Sequence, residues 1–421
     1  MRAVAVIDGE HYAPVVRDAL AEMEHDVVGA FLVGGSEKLR GGEDYGVPLF
    51  HDLGEALAAT APDLVLDLSD EPVLGPRERF LLASRVLAEG LPYVGADFRF
   101  DPPRLEPFPL PSLSIAGTGK RVGKTAVAGH AARLLAAEHD LVIVAMGRGG
   151  PPEPELAERP PELADLLALS RAGRHAASDY LEDAALAGVV TVGARRAGGG
   201  LAGQPFASNV AEAAALAAAR SPGLVLFEGS GSALPPIATD RRILVVSARQ
   251  APELVTGYLN AYRLLVSDLV VLTGADDAAA VREHRSAIAA VAPALPVVAT
   301  TLRPRPVAPI DGRTIAVFTT APLDSHPAIA AHLEAEYGAR VQLVSGSLAR
   351  RPELLSELAT VDADLLAVEL KAAAIDVVAE AADAQGRELV LLDNQVVPLP
   401  GEELDEQIRA LAAAATERAS V

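Results

Sequence analysis

The sequence predicts an α/β protein: a central P-loop NTPase-type parallel sheet, a Rossmann-like α/β domain before it and a further α/β unit after it. Three observations carry this. The stretch Ser112–Leu135, SLSIAGTGKRVGKTAVAGHAARLL, joins an apolar run (Leu113–Ala116) to a glycine-bearing turn and then to an Ala/Leu-rich helical run opened by Lys124 and Thr125. Strand, glycine loop, Lys-Thr and helix are the parts of a phosphate-binding loop. Short apolar runs alternate with helical patterns on both sides of it, which argues a parallel sheet covered by helices. Proline-rich stretches at 102–111 and 301–309 interrupt the alternation. The expected divisions are 1–101, a stiff linker at 102–111, a nucleotide-binding domain at 112–303 and a C-terminal unit at 304–421.

Composition sets the bounds. A chain of 421 residues suggests two to four domains, at about 100–200 residues each. No apolar run is long enough for a membrane span. The N-terminus, MRAVAVIDGEHY, has too short an apolar run for a signal peptide. With no cysteine, disulfides and thiolate metal sites are excluded. A cytoplasmic enzyme is expected. A net charge of −21 disfavours nucleic acid as partner. It also means that an anionic substrate must be drawn in by local arginine clusters.

In the first segment, Val4–Ile7 reads as a strand, Ala13–Glu24 as a helix and Val27–Val33 as a strand ending in a glycine loop. Leu64–Leu68 is followed by a helix near Arg77–Glu89 and by Tyr93–Gly95. Ligands of such sheets bind at the C-terminal strand ends. Those ends carry Asp8, Gly9, Glu10 and His11, then Gly34, Gly35 and Lys38, then Asp67, Ser69, Asp70 and Glu71. No G-x-G-x-x-G is present, so a dinucleotide is not expected. Each acid reads equally as a helix cap. Asp8, Glu10 and His11 are candidates for completing a substrate pocket; dimerisation or effector binding is the other role open to this domain.

In the turn Gly117, Thr118, Gly119, Lys120, Arg121, Val122, Gly123, Lys124 and Thr125, glycines let backbone N–H groups face phosphate oxygens, and the helix N-terminus adds its positive end. Lys124 would reach the β/γ-phosphates and the Thr125 hydroxyl would bind Mg²⁺. Of four lysines (Lys38, Lys120, Lys124, Lys371) among 36 basic residues, two lie here. The spacing departs from G-x-x-x-x-G-K-[ST]: Thr118 holds the first glycine position and Gly117 sits one place early.

The next strand, Leu141–Ala145, ends in Met146–Pro152, where Arg148 between glycines can fork onto a phosphate. Helical patterns at Pro161–Ala172 and Tyr180–Ala187 flank His175, Ser178 and Asp179. The strand Val189–Val192 leads into GARRAGGG at 193–200, whose paired arginines and flexible backbone look like an anion nest. Arg195, Arg196, Gly198 and Gly199 are therefore candidate substrate contacts. Asn209 is expected to cap the helix Val210–Ala219. Leu224–Phe227 ends in Glu228-Gly229-Ser230-Gly231, the layout of a Walker-B element whose carboxylate holds Mg²⁺ directly or through water.

Further strands are expected at Arg242–Val246, Leu269–Leu272 and Val297–Thr300, with helices near Glu253–Val266 and Asp277–Val291. Thr273–Asp276 stands where related nucleotide enzymes recognise the base, and it lacks the lysine of a guanine-reading motif, which favours ATP over GTP. After the proline-rich joint come Thr314–Phe318, His326–Tyr337, Val341–Val344, Leu365–Glu369, Lys371–Ala384, Glu388–Leu392 and Glu402–Ala415, either a third unit or a lobe on the same sheet. Lys371 is a salt-bridge partner or a substrate contact, with the structural role favoured.

The loop GT-x-x-x-VGKT and the run EGSGS resemble dethiobiotin synthetase, a small-molecule ATP-dependent enzyme. IDGEHY at 7–12, DLSDEP at 67–72, GTGKRVGKT at 117–125, GRGGPPEPE at 147–155, GARRAGGG at 193–200, FTTAP at 318–322 and ELKAAAIDVV at 369–378 together resemble the cyclic 2,3-diphosphoglycerate synthetase family. This resemblance spans nearly the whole chain. It implies an ATP- and Mg²⁺-dependent ligase that closes an intramolecular phosphoanhydride in 2,3-diphosphoglycerate, releasing ADP and phosphate. Such chemistry crowds negative charges. It calls on Lys124, Arg121, Arg148, Arg195 and Arg196 as positioning and electrostatic groups, with Thr125 and Glu228 on the metal. The expected partner is a small polyanion and the expected assembly a homodimer. Two other readings stay open: a carboxylate-activating P-loop ligase or kinase, and an ATP-driven switch of the partition-ATPase kind.

Overall fold

The strand Ser112–Gly117 is buried at every position, as its unbroken run of apolar and small residues requires of a parallel strand covered on both faces. Leu141–Gly147, Leu224–Glu228 and Leu269–Thr273 are buried throughout for the same reason. The computed structural model describes residues 1–35 and 38–418, which divide into two units.

The first unit comprises Met1–Arg104 with Ala251–Val266 and Ser286–Leu295. Its six-stranded sheet runs Leu49–Phe50, Asp26–Leu32, Arg2–Ile7, Leu64–Asp67, Tyr93–Val94, Arg99–Phe100, parallel except for the last pair. Strand order reverses between Arg2–Ile7 and Leu64–Asp67, the switch point of a Rossmann-like fold. The helix expected over 253–266 is two short ones, Pro252–Thr256 and Asn260–Leu265. The break falls where Tyr258 adopts φ +49°, and its ring packs edge-on against Phe80 at 5.6 Å between centroids.

The second unit comprises Leu105–Gln250, Ser267–Arg285 and the chain from Pro296. Its sheet has 13 strands. From one edge the order is Glu155–Ala157, Val190–Ala197, Leu141–Gly147, Leu224–Glu228, Ser112–Gly117, Arg241–Ser247, Leu269–Thr273, Val297–Pro306, Glu388–Pro398, Leu365–Glu369, Thr314–Phe318, Arg340–Ser345. Ala207–Ser208 pairs alongside Val190–Ala197. Of the two arrangements the sequence left open for the C-terminal segment, the structure has the lobe on the P-loop sheet.

Glu388–Pro398 makes the junction. Its first half pairs parallel with Leu365–Glu369 and its second half antiparallel with Val297–Pro306. The two groups of strands therefore run toward each other, and their C-terminal ends meet at Leu392. The proline-rich stretch expected as a joint is instead strand as far as Pro306. Val307 N–H donates to Leu391 O over 3.0 Å, so Pro304 and Pro306 fall on the alternate positions, where the ladder needs no donor. The linker at 102–111 likewise contains a short strand, Glu106–Pro107, paired with Ile237–Ala238. The helix expected over 371–384 is a turn, a π-helix at Ala374–Ala379 and an α-helix at Glu380–Gln385.

Candidate functional site

The loop after Ser112–Gly117 is tied down from several strands. Thr118 N–H donates to Val245 O over 3.2 Å, and its hydroxyl to Gln250 Oε1 over 2.6 Å. Thr273 donates its hydroxyl to Val122 O over 2.7 Å. Gly123, at φ +93°, turns the chain into the helix Lys124–Leu135, a backbone conformation that side chains resist. Arg121 takes φ +61° at the tip. Lys124 arches back over the loop and donates to Gly119 O over 2.8 Å. It is buried, and burial lowers its pKa to about 8. This is the geometry of a phosphate cradle, with Gly117 to Thr125 gathered as the sequence expects.

Thr125 donates its hydroxyl to Glu228 Oε1 over 2.9 Å. Glu228 ends its buried strand, and its second oxygen, Oε2, has no hydrogen-bond partner. Burial, then the nearby Asp179 charge, push its pKa up to about 7. Hidden beside it is an acidic face that sequence reasoning did not single out. The helix Asp179–Ala187 buries Glu182 and Asp183. Neither oxygen of Asp183 has a donor. Burial and the neighbouring Glu228 raise its pKa well above the usual carboxyl range. Burial takes Glu182 up to about 8. The i, i+3, i+4 spacing of 179, 182 and 183 was the available signal that these acids share one face.

Arginines stand at the same strand-end edge. The strand expected at 189–192 continues to Ala197, so Arg195 and Arg196 lie on a strand end and not in a flexible nest. Arg196 Nη2 donates to Ser230 O over 2.8 Å, and Nη1 reaches Gly198 O. Burial lowers its pKa, and so does neighbouring Arg148. Arg195 and Arg148 are exposed. Their two segments come close at Gly150, where a Cβ would sit 2.0 Å from Ala194 O. Asn209 precedes its helix as expected but does not cap it. Its Oδ1 accepts Arg195 N–H over 2.7 Å, while Nδ2 donates to Pro151 O and Pro152 O, each over 3.2 Å. Ser208 Oγ accepts the Val210 N–H instead.

Parallel strands thus bring the phosphate loop, Glu228, Arg148, Arg195, Arg196, Gly198 and Gly199 to one edge of one sheet. Asp8, Glu10 and His11 assemble in the first unit. Buried Asp8 accepts the N–H groups of Glu10 and Asp70, each over 2.9 Å, and lies 3.0 Å from His11 Nδ1. These hydrogen bonds outweigh burial and lower the Asp8 pKa. The bond to Asp8 raises that of His11.

Thr125 and Glu228 offer a hydroxyl and a carboxylate with an orphaned oxygen, hard donors suited to Mg²⁺ completed by phosphate and water. Among the described residues no group of three or more His, Cys, Asp or Glu forms a protein-only metal cage. No described helix is long and apolar enough to cross a membrane.

Family models match the chain in three blocks, described as the N-terminal domain (2–101), the P-loop domain (112–301) and the C-terminal domain (306–395) of cyclic 2,3-diphosphoglycerate synthetase. A relative of that description from Rubrobacter xylanophilus is 48% identical over 436 residues, covering 99% of this chain and 98% of its own. Another from Thermococcus gammatolerans is 43% identical over 431 residues, covering 97% and 96%. The crystal structure of LpxK from Aquifex aeolicus in complex with ATP matches 73% of this chain and 90% of its own at 14% identity, with a TM-score of 0.41, too low to carry an argument.

Proposed function

Since the chain belongs to the cyclic 2,3-diphosphoglycerate synthetase family, we propose that it uses ATP and Mg²⁺ to close the phosphoanhydride ring of 2,3-diphosphoglycerate. One phosphate of the substrate attacks the γ-phosphorus of ATP and ADP leaves. The neighbouring phosphate then attacks the phosphorylated one, closing the ring and expelling inorganic phosphate. A phosphate oxygen is already a nucleophile, so the protein supplies little acid–base chemistry. Its work is to hold like charges together, and the second step, being intramolecular, gains most from positioning.

The geometry supports the following roles. Gly117–Thr125 cradles the triphosphate, with Lys124 over its terminal phosphoryl group. Thr125 and the free oxygen of Glu228 would hold Mg²⁺, which when bound neutralises phosphate charge. Arg196, braced on Ser230 and Gly198, brings a fixed positive charge to the diphosphate, with Arg148 and Arg195 exposed beside it. Gly198 and Gly199 give the backbone close approach. Asp8, Glu10 and His11 are candidate substrate contacts of the first unit by itself. The proposed assembly is a homodimer, and the need for ATP argues a cytoplasmic setting.

The observation that carries this reading is the convergence of a phosphate loop and a braced arginine on one strand-end edge in a chain of this family. Phosphorus NMR of purified protein with Mg-ATP and 2,3-diphosphoglycerate tests it. A new cyclic pyrophosphate signal is expected, and its absence while ADP accumulates with a carboxylate substrate would overturn it.

A further inference from the structure

The C-terminal lobe sends one residue to the site that neither the phosphate loop nor the arginines account for. Lys371 follows the strand Leu365–Glu369, and its Nζ lies 3.3 Å from Oε1 of Glu182. Its side chain is partly exposed while the carboxylate it meets is buried. Glu182 shares its helix with Asp179, whose carboxylate feels the charges of both Lys371 and Lys124, and the two ammonium groups act on each other. Glu182 and Thr125 line one small cavity together with Asn394 of the C-terminal lobe, so Lys371, one of the four lysines in the chain, comes to the phosphate-loop helix from the other half of the sheet.

An ion pair that only holds two elements together has no need of a strained backbone. Around Lys371 the backbone is strained. Its N–H donates to Glu369 O over 2.7 Å, closing a three-residue turn. Ala372 then takes φ +49°, a left-handed conformation unfavourable by about 1–3 kcal/mol for a residue with a Cβ. The π-helix Ala374–Ala379 follows directly, a form that recurs at functional positions. The strand end beneath is locked: Glu369 accepts the Thr320 N–H over 2.9 Å, the Thr320 hydroxyl over 3.0 Å and Asn394 Nδ2 over 3.1 Å. Such outliers persist where the surroundings hold a side chain to a task.

Glu182 is buried with Asp179, Asp183 and Glu228 nearby, and burial raises its pKa to about 8. A doubly charged phosphoryl group at the neighbouring helix N-terminus attracts an ammonium more strongly than this carboxyl group does.

We propose that Lys371 is a second phosphate-contacting lysine, resting on Glu182 in the nucleotide-free protein and donating to a non-bridging oxygen of the terminal phosphoryl group held over Lys124. No bond is made or broken by it and no proton is transferred. The inference rests on the triphosphate lying in the P-loop and is independent of which diphosphate is the substrate.

Isothermal titration of the full-length protein with Mg-tripolyphosphate tests it in Lys371→Met, Lys371→Arg and the double variant Lys371→Met/Glu182→Gln. Lys371→Met is expected to weaken binding about tenfold or more, the loss of a charge-assisted hydrogen bond, and Lys371→Arg to weaken it less. The double variant removes the stranded carboxylate and is expected to stay weak. Wild-type affinity in Lys371→Met, or recovery in the double variant, would show that Lys371 only neutralises Glu182 and would overturn the proposal. A wild type that binds tripolyphosphate but forms no ring from 2,3-diphosphoglycerate would count against the substrate reading alone.

Discussion

Thr125 and Glu228 are joined by a 2.9 Å hydrogen bond across 103 residues of sequence. The second residue of the helix Lys124–Leu135 is thereby locked to the last residue of the neighbouring strand Leu224–Glu228. The bond uses one carboxylate oxygen and leaves the other free. That arrangement separates two jobs: aligning the helix N-terminus and, in the proposed function, offering an oxygen to Mg²⁺.

Lys124→Ala removes the ammonium that bridges the loop at Gly119 and would meet the terminal phosphoryl group. Mg-ATP-dependent ADP release is expected to fall by about 10²–10³-fold, the scale for deleting one preorganised electrostatic donor. The melting temperature of the nucleotide-free protein is expected to hold or rise, because a buried ammonium is lost. Coupled spectrophotometric assay and calorimetry read the two effects, and retained turnover would exclude Lys124 from the chemistry.

The buried acids give stability a pH dependence. Burial holds Glu182 at about 8 and Glu228 at about 7, and raises Asp183 in the same direction. The folded state therefore keeps protons that the unfolded chain releases at about pH 4. The stability these groups contribute is full below that pH and is lost as pH rises toward 8. Asp183→Asn cannot ionise, so its stability relative to wild type is expected to grow from pH 5 to pH 8, at about 1.4 kcal/mol per unit of pKa shift removed. Denaturant unfolding of both proteins across that range measures it; a constant difference would mean that Asp183 does not titrate there.

Arg196 and Asn209 act on the same edge in different ways. Arg196→Lys keeps the charge but loses the fork braced on Ser230. A rise of about tenfold or more in KM for the diphosphate is expected, with KM for ATP little changed. Asn209→Ala releases the Arg195 N–H and the carbonyls of Pro151 and Pro152. It is expected to destabilise the protein by about 1–3 kcal/mol and to raise the same KM. Steady-state kinetics varying each substrate distinguishes both from a general loss of activity.

The phosphate loop and Glu228 were legible because their chemistry is bound to spacing: glycine, Lys-Thr and a strand-end acid have few other reasons to occur in that order. The strand through Arg195 and Arg196 was not. Arginines and Gly193 read as loop, yet Gly193 lies where a Cβ would be 2.6 Å from the Tyr180 ring, so the glycine serves close helix–strand packing. The prolines at 304 and 306 were not read as strand because composition does not show which side of a ladder they face. The acids of Asp179–Ala187 stayed hidden because charge on a helix normally marks its solvated face. Only the fold revealed that this face turns inward toward Glu228.

Glu388–Pro398 runs without interruption through both halves of the second unit, bonded to Leu365–Glu369 on one stretch and to Val297–Pro306 on the next. A continuous β-ribbon bends far more readily than it folds at a point, so the lobe bearing Lys371 has no hinge at this crossing. In the proposed reaction, gripping and releasing phosphate would then fall to lysine and arginine side chains turning about their own bonds, without a swing of the lobe.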